Sequence, residues 1–371
     1  MNIDFQNLKI ANFRYADQIK ARLNAVVDSG FYLLGEELCR FELNFAKFVG
    51  LEYCIGVNSG LDALRLILKA LDVGPGDEIL VSGHTFFATW LAIIETGATL
   101  IPVDLGENQL NIKIDDVKPL VTEQTRGLIA VHMYGSPCDI EALEAWCHDQ
   151  KLFLIEDAAQ AHGASLNGRK VGSFGDASAW SFYPAKNLGS LGNGGAVTTR
   201  SGALADKIRS LRNYGAKERY IYEMIGMNSR LDEFQAAVLD CKLQFLAEDN
   251  ARRNEIANQY FNRLESVPDL TLPHVLTGKS IIPVWHQFPV LTGSRNTLQK
   301  FLAAQGVLTQ IHYPVTNHRQ PVLNQYQYLA NLHLPGCDRI ADNVLSLPIS
   351  PEHEHAEIDY VCDVIVDYFS K

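Results

Sequence analysis

No run of about 18 consecutive apolar residues occurs in the 371-residue chain, so no membrane-spanning helix is expected. The opening residues, MNIDFQNLKI, lack the basic-then-apolar order of a secretory leader. Cysteine is sparse and odd in number, with Cys39, Cys54, Cys138, Cys147, Cys241, Cys337 and Cys362 scattered and no CxxC pair. That excludes a disulfide framework and a cysteine-based zinc site, and it fits reduced thiols used as small apolar groups in a cytoplasmic protein. Positive charge is in deficit, 32 basic against 43 acidic residues for a net charge of −11. An acidic surface argues against a nucleic-acid or anionic-membrane partner, while leaving room for a local basic pocket. Internal repeats, low-complexity tracts and flexible linkers are also missing.

From about residue 50 the chain alternates short apolar runs with longer helical patterns. YCIGV precedes SGLDALRLILKAL, and DEILVS precedes FFATWLAIIETG; LIPVD, RGLIAVHMYG, KLFLIEDAA, ASAWSFY and GGAVTTR follow as further strands. Continuous apolar strands between helices predict an α/β fold with a mainly parallel sheet covered on both faces. After about Leu239 the texture changes. FLAEDNARRNEIANQYFNRLESV predicts a long amphipathic helix, PVWHQFPVL a strand, SRNTLQKFLAAQG a helix opened by a serine cap, and EHAEIDYVCDVIVDYF a closing helix. The predicted organisation is a large α/β domain over 1–240 and a small α+β domain over 241–371. Residues 1–30 are helical in pattern without a core of their own, and are expected to pack on another part of the assembly.

Three stretches carry chemistry when taken together. In GVNSGLDAL a strand ends and Asn58-Ser59-Gly60 leads into a helix, whose free N–H groups can cradle a phosphate. A plain serine cap would look the same. In FLIEDAAQAHGA, Glu156 and Asp157 end a buried parallel strand, where α/β folds place ligands; a helix-capping aspartate is the alternative. In WSFYPAKNLGSLGNGGAV, Lys186 stands between an apolar strand and a glycine-rich loop. A partly desolvated lysine near cations has a lowered pKa and attacks aldehydes. A phosphate cradle, a strand-end carboxylate and a lysine on neighbouring strand ends describe a pyridoxal phosphate site. Trp180, Phe182 and Tyr183 are expected to wall the amine, and the glycines after it to let the chain turn tightly.

FYLLGEELCRFE, VNSGLDAL, HTFFAT, IEDAAQAHGA, SFYPAKNLGSLGNGGAV, LRNYGAKERY, GMNSRLDEFQAA and IHYP follow one another in the order seen in one family. The chain resembles the sugar aminotransferases of the DegT/DnrJ/EryC1/StrS family, of aspartate aminotransferase-like fold (type I). The resemblance covers nearly its whole length and leans to the branch acting at C3 of nucleotide-linked 3-keto-6-deoxyhexoses.

The resemblance implies roles residue by residue. Lys186 matches the lysine that bonds the cofactor aldehyde and then shuttles a proton. Asp157 matches the carboxylate at the pyridine nitrogen, and Gln160 the amide on the ring face or phenolic oxygen. His162 is expected behind them, or simply in the core. Phe86 matches the aromatic stacked on the ring, with Phe87 in the core. Ser181 matches the serine at the phosphate, beside the backbone of Gly60 and Leu61. Asn228 matches the asparagine that reaches the phosphate from the other subunit, which implies a homodimer with shared sites. Tyr183, His312 and Tyr313 are implied at the sugar, and Lys217 and Arg219 at the nucleotide diphosphate; packing roles are the alternative for the three aromatics. No metal is implied. Two positions depart from the family pattern. Leu61 replaces a common Thr or Ser, removing a hydroxyl worth roughly 1.5–3 kcal/mol to a charged acceptor, and Asn193 stands where an acid is common.

The implied reaction is a ping-pong transamination with pyridoxal 5'-phosphate, passing through its pyridoxamine form. L-glutamate would donate, and a dTDP-3-keto-6-deoxyhexose would become the 3-amino-3,6-dideoxy sugar, for O-antigen, S-layer or antibiotic glycans. The rivals are amination at C4 of a UDP-, GDP- or dTDP-linked 4-ketosugar, and a non-catalytic cofactor-binding regulator. A dehydratase of the same fold would carry histidine in place of Lys186.

Overall fold

The computed structural model describes residues 1–107, 109–275, 278–330 and 332–370. The apolar runs condense into one seven-stranded sheet. Its order is Tyr53–Val57, Gly195–Thr199, Ala177–Ser181, Phe153–Asp157, Thr125–Val131, Glu78–Ser82 and Thr99–Val103. Gly195–Thr199 runs antiparallel to both neighbours, and the remaining neighbouring pairs are parallel. The carboxyl ends of six strands and the amino end of the seventh therefore meet along one edge of the sheet.

Side chains alternate across this sheet, so each strand feeds two cores. Ala177, Ala179 and Val197 join the core under the helix Gly60–Ala70, with Leu64, Ile67, Trp90 and Ile129. Trp180, Phe182 and Ala196 face the opposite way, against Phe41 and Phe45 of the helix Glu36–Val49 and Leu239 of Glu233–Leu243. The Glu233 carboxylate accepts from the N–H groups of Gly35 and Glu37, both at 2.8 Å, and so caps one helix from the other.

A second core joins the helix Leu246–Leu264, the strands Phe288–Leu291 and Val344–Leu347, and the helices Arg295–Ala304 and His355–Phe369. Ile3 belongs to it as well, pinned by backbone bonds with Gly306 and Leu308. The helix Ala16–Ser29 and its N-cap Tyr15 pack through Tyr15 and Ile19 on Val238 and Cys241, and Val27 on the helix and Phe13 and Phe31 to either side of it are exposed.

Two local expectations are corrected. The strand expected over PVWHQFPVL begins only at Phe288, because Trp285 adopts φ 40° and breaks the extended geometry before it. Ser294 does occupy the N-cap of its helix, but with ψ 15° its hydroxyl makes no cap bond.

Candidate active site

At the shared edge of the sheet lies a cavity of about 720 Å³. It is lined by Gly60, Leu61, Phe86, Asp157, Gln160, Ser181, Tyr183, Lys186, His312 and Tyr313, ten positions singled out from the sequence. Asn228, Lys217 and Arg219 do not line it. Lys217 and Arg219 lie on the exposed hairpin of Ala216–Glu218 and Ile221–Tyr222, Lys217 paired with Glu223 at 3.1 Å and Arg219 over the Tyr220 ring. Asn228 is exposed and accepts from Arg230 Nε at 3.1 Å.

One end of the cavity suits an anion. Ser59 caps the helix Gly60–Ala70 through a 3.1 Å bond from the Asp62 N–H. No acceptor among the described residues takes the N–H groups of Gly60 and Leu61 at the helix start. Close packing makes the glycines here necessary. A Cβ on Gly60 would stand 2.7 Å from Ser181 Cβ, and one on Gly195 2.3 Å from the Ser59 carbonyl carbon. None of Gly189, Gly192, Gly194 and Gly195 has positive φ, so the loop after Lys186 uses glycine for close approach and not for the tight turning expected of it.

Asp157 and Glu156 end one strand and face opposite ways. Asp157 Oδ2 accepts from Thr89 Oγ1 at 2.8 Å, and Oδ1 from the Ala159 N–H at 3.2 Å. Burial raises its pKa, opposed by these two donors and by the charges of Lys186 and His132. Glu156, wholly buried, accepts from the N–H groups of Gly172 and Phe174 and from Ser178 Oγ, each at 2.8 Å, and pairs with His132 Nε2 at 3.0 Å. Burial works against a charged His132, but Cys138 and Glu156 outweigh it and push it up to about 10.

Lys186 is half-buried, with no side-chain hydrogen bond among the described residues. Burial lowers its pKa to about 8, and Asp157 works in the opposite direction. Desolvation is thus the cause; the nearby cation expected from the sequence is not what shifts it. The wall differs from expectation too. Trp180 and Phe182 lie in the core behind the site, packed around His162 at 5.2 and 5.7 Å. Only Tyr183 of the three lines the cavity, and it is exposed. His162 is buried with neither ring nitrogen in a hydrogen bond of ordinary geometry, although the Ser181 backbone lies near enough to favour its charged form; burial first and Lys186 second lower it to about 3.

The far wall comes from the 310–313 segment. Tyr134 OH donates to the His312 carbonyl and so accepts from His84 Nε2 at 2.7 Å, tying that segment to the sheet. His312 Nδ1 meets Ser346 Oγ at 3.0 Å, and the Tyr313 ring tilts over Phe86 at 5.5 Å. Gln160 Oε1 accepts from the Tyr134 N–H at 2.7 Å, which fixes its amide beside Tyr313.

The model of the DegT/DnrJ/EryC1/StrS aminotransferase family matches residues 14–366. The chain belongs to this family. It is 43% identical over 366 residues to a dTDP-3-amino-3,4,6-trideoxy-alpha-D-glucose transaminase of Streptomyces venezuelae, covering 99% of this chain and 96% of the relative. It is equally 43% identical over 366 residues to a dTDP-3-amino-3,6-dideoxy-alpha-D-galactopyranose transaminase of Aneurinibacillus thermoaerophilus, covering 99% of each. The S. venezuelae DesV crystal structure in complex with a ketimine intermediate superposes with TM-score 0.96 at 42% identity, over 100% of this chain and 99% of that one.

The cofactor of this aminotransferase is pyridoxal 5'-phosphate, and solved relatives hold its pyridoxamine form. The residues present fit it. The crowded, donor-rich helix start would suit a phosphate, the cavity-facing Asp157 a protonated ring nitrogen, and the lowered Lys186 amine an aldehyde. Thr89, His132, His286 and Gln287 were missed from the sequence. Thr89 sits three residues after Phe86, and only the folded helix brings its hydroxyl to Asp157. His286 and Gln287 fell inside a stretch expected to be plain strand.

Proposed function

We propose that this aminotransferase transfers the amino group of L-glutamate to C3 of a dTDP-3-keto-6-deoxyhexose, giving a dTDP-3-amino-3,6-dideoxyhexose. The observation that carries the chemistry is the lowered Lys186 amine facing Asp157 across a cavity with an anion cradle at one end. The full-length likeness to two dTDP-3-amino-sugar transaminases supports the sugar and the position. Bound pyridoxal phosphate supplies the electron sink that lets nitrogen pass between two carbonyl compounds.

The chain's own residues do the rest. The N–H groups of Gly60 and Leu61 and the Ser181 hydroxyl hold the phosphate, and Phe86 covers the ring. Asp157, raised by burial against its two donors, faces the ring nitrogen and holds the proton there. Lys186 Nζ removes and returns the proton at the substrate carbon, a role worth roughly 10²–10⁴-fold. Gln160 positions the ring oxygen, and Tyr183, His312 and Tyr313 face the sugar. A homodimer completes the site: a second copy's Asn228 reaches the phosphate, and its Lys217 and Arg219 neutralise the nucleotide diphosphate. Placement on an exposed element outside the chain's own cavity supports that assignment for all three.

The test is a panel of dTDP-, UDP- and GDP-linked 3-keto and 4-keto sugars with glutamate, reading the product by mass and NMR. A 4-amino sugar as main product would move the enzyme to the C4 branch. An absorbance band that glutamate fails to bleach would favour a non-catalytic regulator. Heterodimers of Lys186→Ala and Asn228→Ala subunits should regain activity, because one of their two sites keeps both residues; a fully active monomer in sedimentation would remove the shared site.

A further inference from the structure

A chain of hydrogen bonds beside Lys186 sets the tautomer of His286. It starts at two backbone carbonyls, which can only accept. Asn250 Nδ2 donates to the His162 carbonyl at 2.8 Å, so Asn250 Oδ1 must face Asn187, whose Nδ2 donates to it at 3.0 Å. The same Asn187 Nδ2 donates to the Val284 carbonyl at 2.8 Å. Both Asn187 amide hydrogens are then used, and its Oδ1 is left to accept from His286 Nδ1 at 3.2 Å. Nδ1 therefore carries the proton. Burial, then the charge of Lys186, keep the ring neutral, so Nε2 presents a lone pair.

His286 lines the cavity, and its Nε2 has no hydrogen-bond partner among the described residues. The next residue, Gln287, also lines the cavity; it is 6% exposed and its buried Oε1 has no partner. An unpaired buried acceptor such as Gln287 Oε1 is costly to leave unmet, and the open lone pair of the half-buried His286 lies beside it on the cavity wall, so the natural complement of the pair is a ligand that brings donors. A carboxylate or phosphate brings none. An amino donor offers N–H only at the atom that must react. A keto-pyranose offers hydroxyls on the carbons flanking its carbonyl, and two such donors match two neighbouring acceptors.

We propose that His286 Nε2, with Gln287 beside it, is a positioning site that orients the keto sugar through the hydroxyls flanking the carbon that receives nitrogen. This rests on the sugar-aminotransferase reading above. Asn187 holds the imidazole and follows Lys186 directly, so the sugar is registered against the reacting amine by one continuous network.

The test uses holoenzyme with His286→Leu and His286→Gln. Glutamine places an oxygen acceptor near the position of Nε2. His286→Leu should lower kcat/KM for the nucleotide keto sugar about tenfold and leave the glutamate half-reaction, read by absorbance, within about twofold, while His286→Gln should recover to within about threefold of wild type. The 2-deoxy or 4-deoxy sugar analogue should lose most of its penalty in His286→Leu. Independently of turnover, ¹⁵N NMR of the wild-type protein should show His286 protonated at Nδ1, with Nε2 shifting on addition of the 3-amino nucleotide-sugar product. Unchanged sugar kinetics in His286→Leu, an equal loss in the glutamate half-reaction, or a proton on Nε2 would overturn the proposal. Wild-type enzyme that bleaches with glutamate but aminates no keto sugar would instead overturn the functional reading, and this one with it.

Discussion

Glu156 and Asp157 are neighbours in one strand, yet they sit in opposite electrostatic regimes. Glu156 points away from the cavity and is met by three donors at 2.8 Å and by His132. Three of its four lone-pair directions hold the 172–178 segment to the sheet, and the fourth is taken by His132. Asp157 points into the cavity, and Thr89 and the Ala159 N–H leave it under-coordinated. A saturated carboxylate is structural. One left short of donors is available to a ligand that brings a positive charge, and the half-buried Lys186 opposite it is unsatisfied in the same way. The contrast separates groups that hold the fold from groups whose cost is met only when something binds.

The sharpest way to break that contrast is Lys186→Ala. It should abolish transamination, a loss of at least roughly 10⁴-fold, while circular dichroism shows a folded chain that still takes up pyridoxamine phosphate. Turnover near wild type would end the assignment of this amine.

The paired carboxylates come next. Asp157→Asn should cut kcat roughly 10²–10⁴-fold, the range for a group acting on proton chemistry, and leave the urea midpoint nearly unchanged. Glu156→Gln should do the reverse. It breaks a buried ion pair, which costs about 3–5 kcal/mol, and the fraction that stays folded should keep most of its activity. Equal effects of the two on stability would erase the distinction.

pH separates the two sides by sign. Lys186 is lowered to about 8 from 10.5, so between those values the unfolded chain binds more protons and this group's share of stability rises with pH. His132 is raised to about 10 from 6.5, so its share is fully present below 6.5 and is lost as pH climbs towards 10. In urea denaturation of the cofactor-free protein, His132→Asn should flatten the alkaline loss of stability and Lys186→Ala should steepen it. The opposite signs would show that the charges are held differently.

The smallest effect is expected on the hairpin. Lys217→Ala and Arg219→Ala remove exposed charges, so stability should move by no more than about 0.5 kcal/mol. If these cations serve a second copy's nucleotide, KM for the sugar should rise several-fold in steady-state assays, with the glutamate half-reaction unchanged.

Much of this was legible before folding. The alternation of apolar runs with amphipathic stretches determined a covered, mainly parallel sheet, because a strand buried on both faces must be apolar at every position. The order of the motifs determined the chemistry as well, since strand ends, helix starts and glycine positions are local features. What local sequence could not carry was direction and partnership. It named Trp180 and Phe182 as a wall of the site, but strand alternation turns them into the core behind it. Position at a strand end treats Glu156 and Asp157 alike; the resemblance picked out Asp157, and only the register of neighbouring strands shows that Glu156 is the saturated one. Local sequence offered the glycines after Lys186 as turns, but the crowding of Ser59 against Gly195 arises from a segment far away in the chain. It passed over His286, whose free nitrogen is set by a relay through Asn187 and Asn250, side chains from two other segments, to the carbonyls of Val284 and His162. Side-chain period and residue type are written locally. Which lone pair is spent and which is left for a ligand depends on groups brought together from distant sequence, and only the tertiary structure decides that.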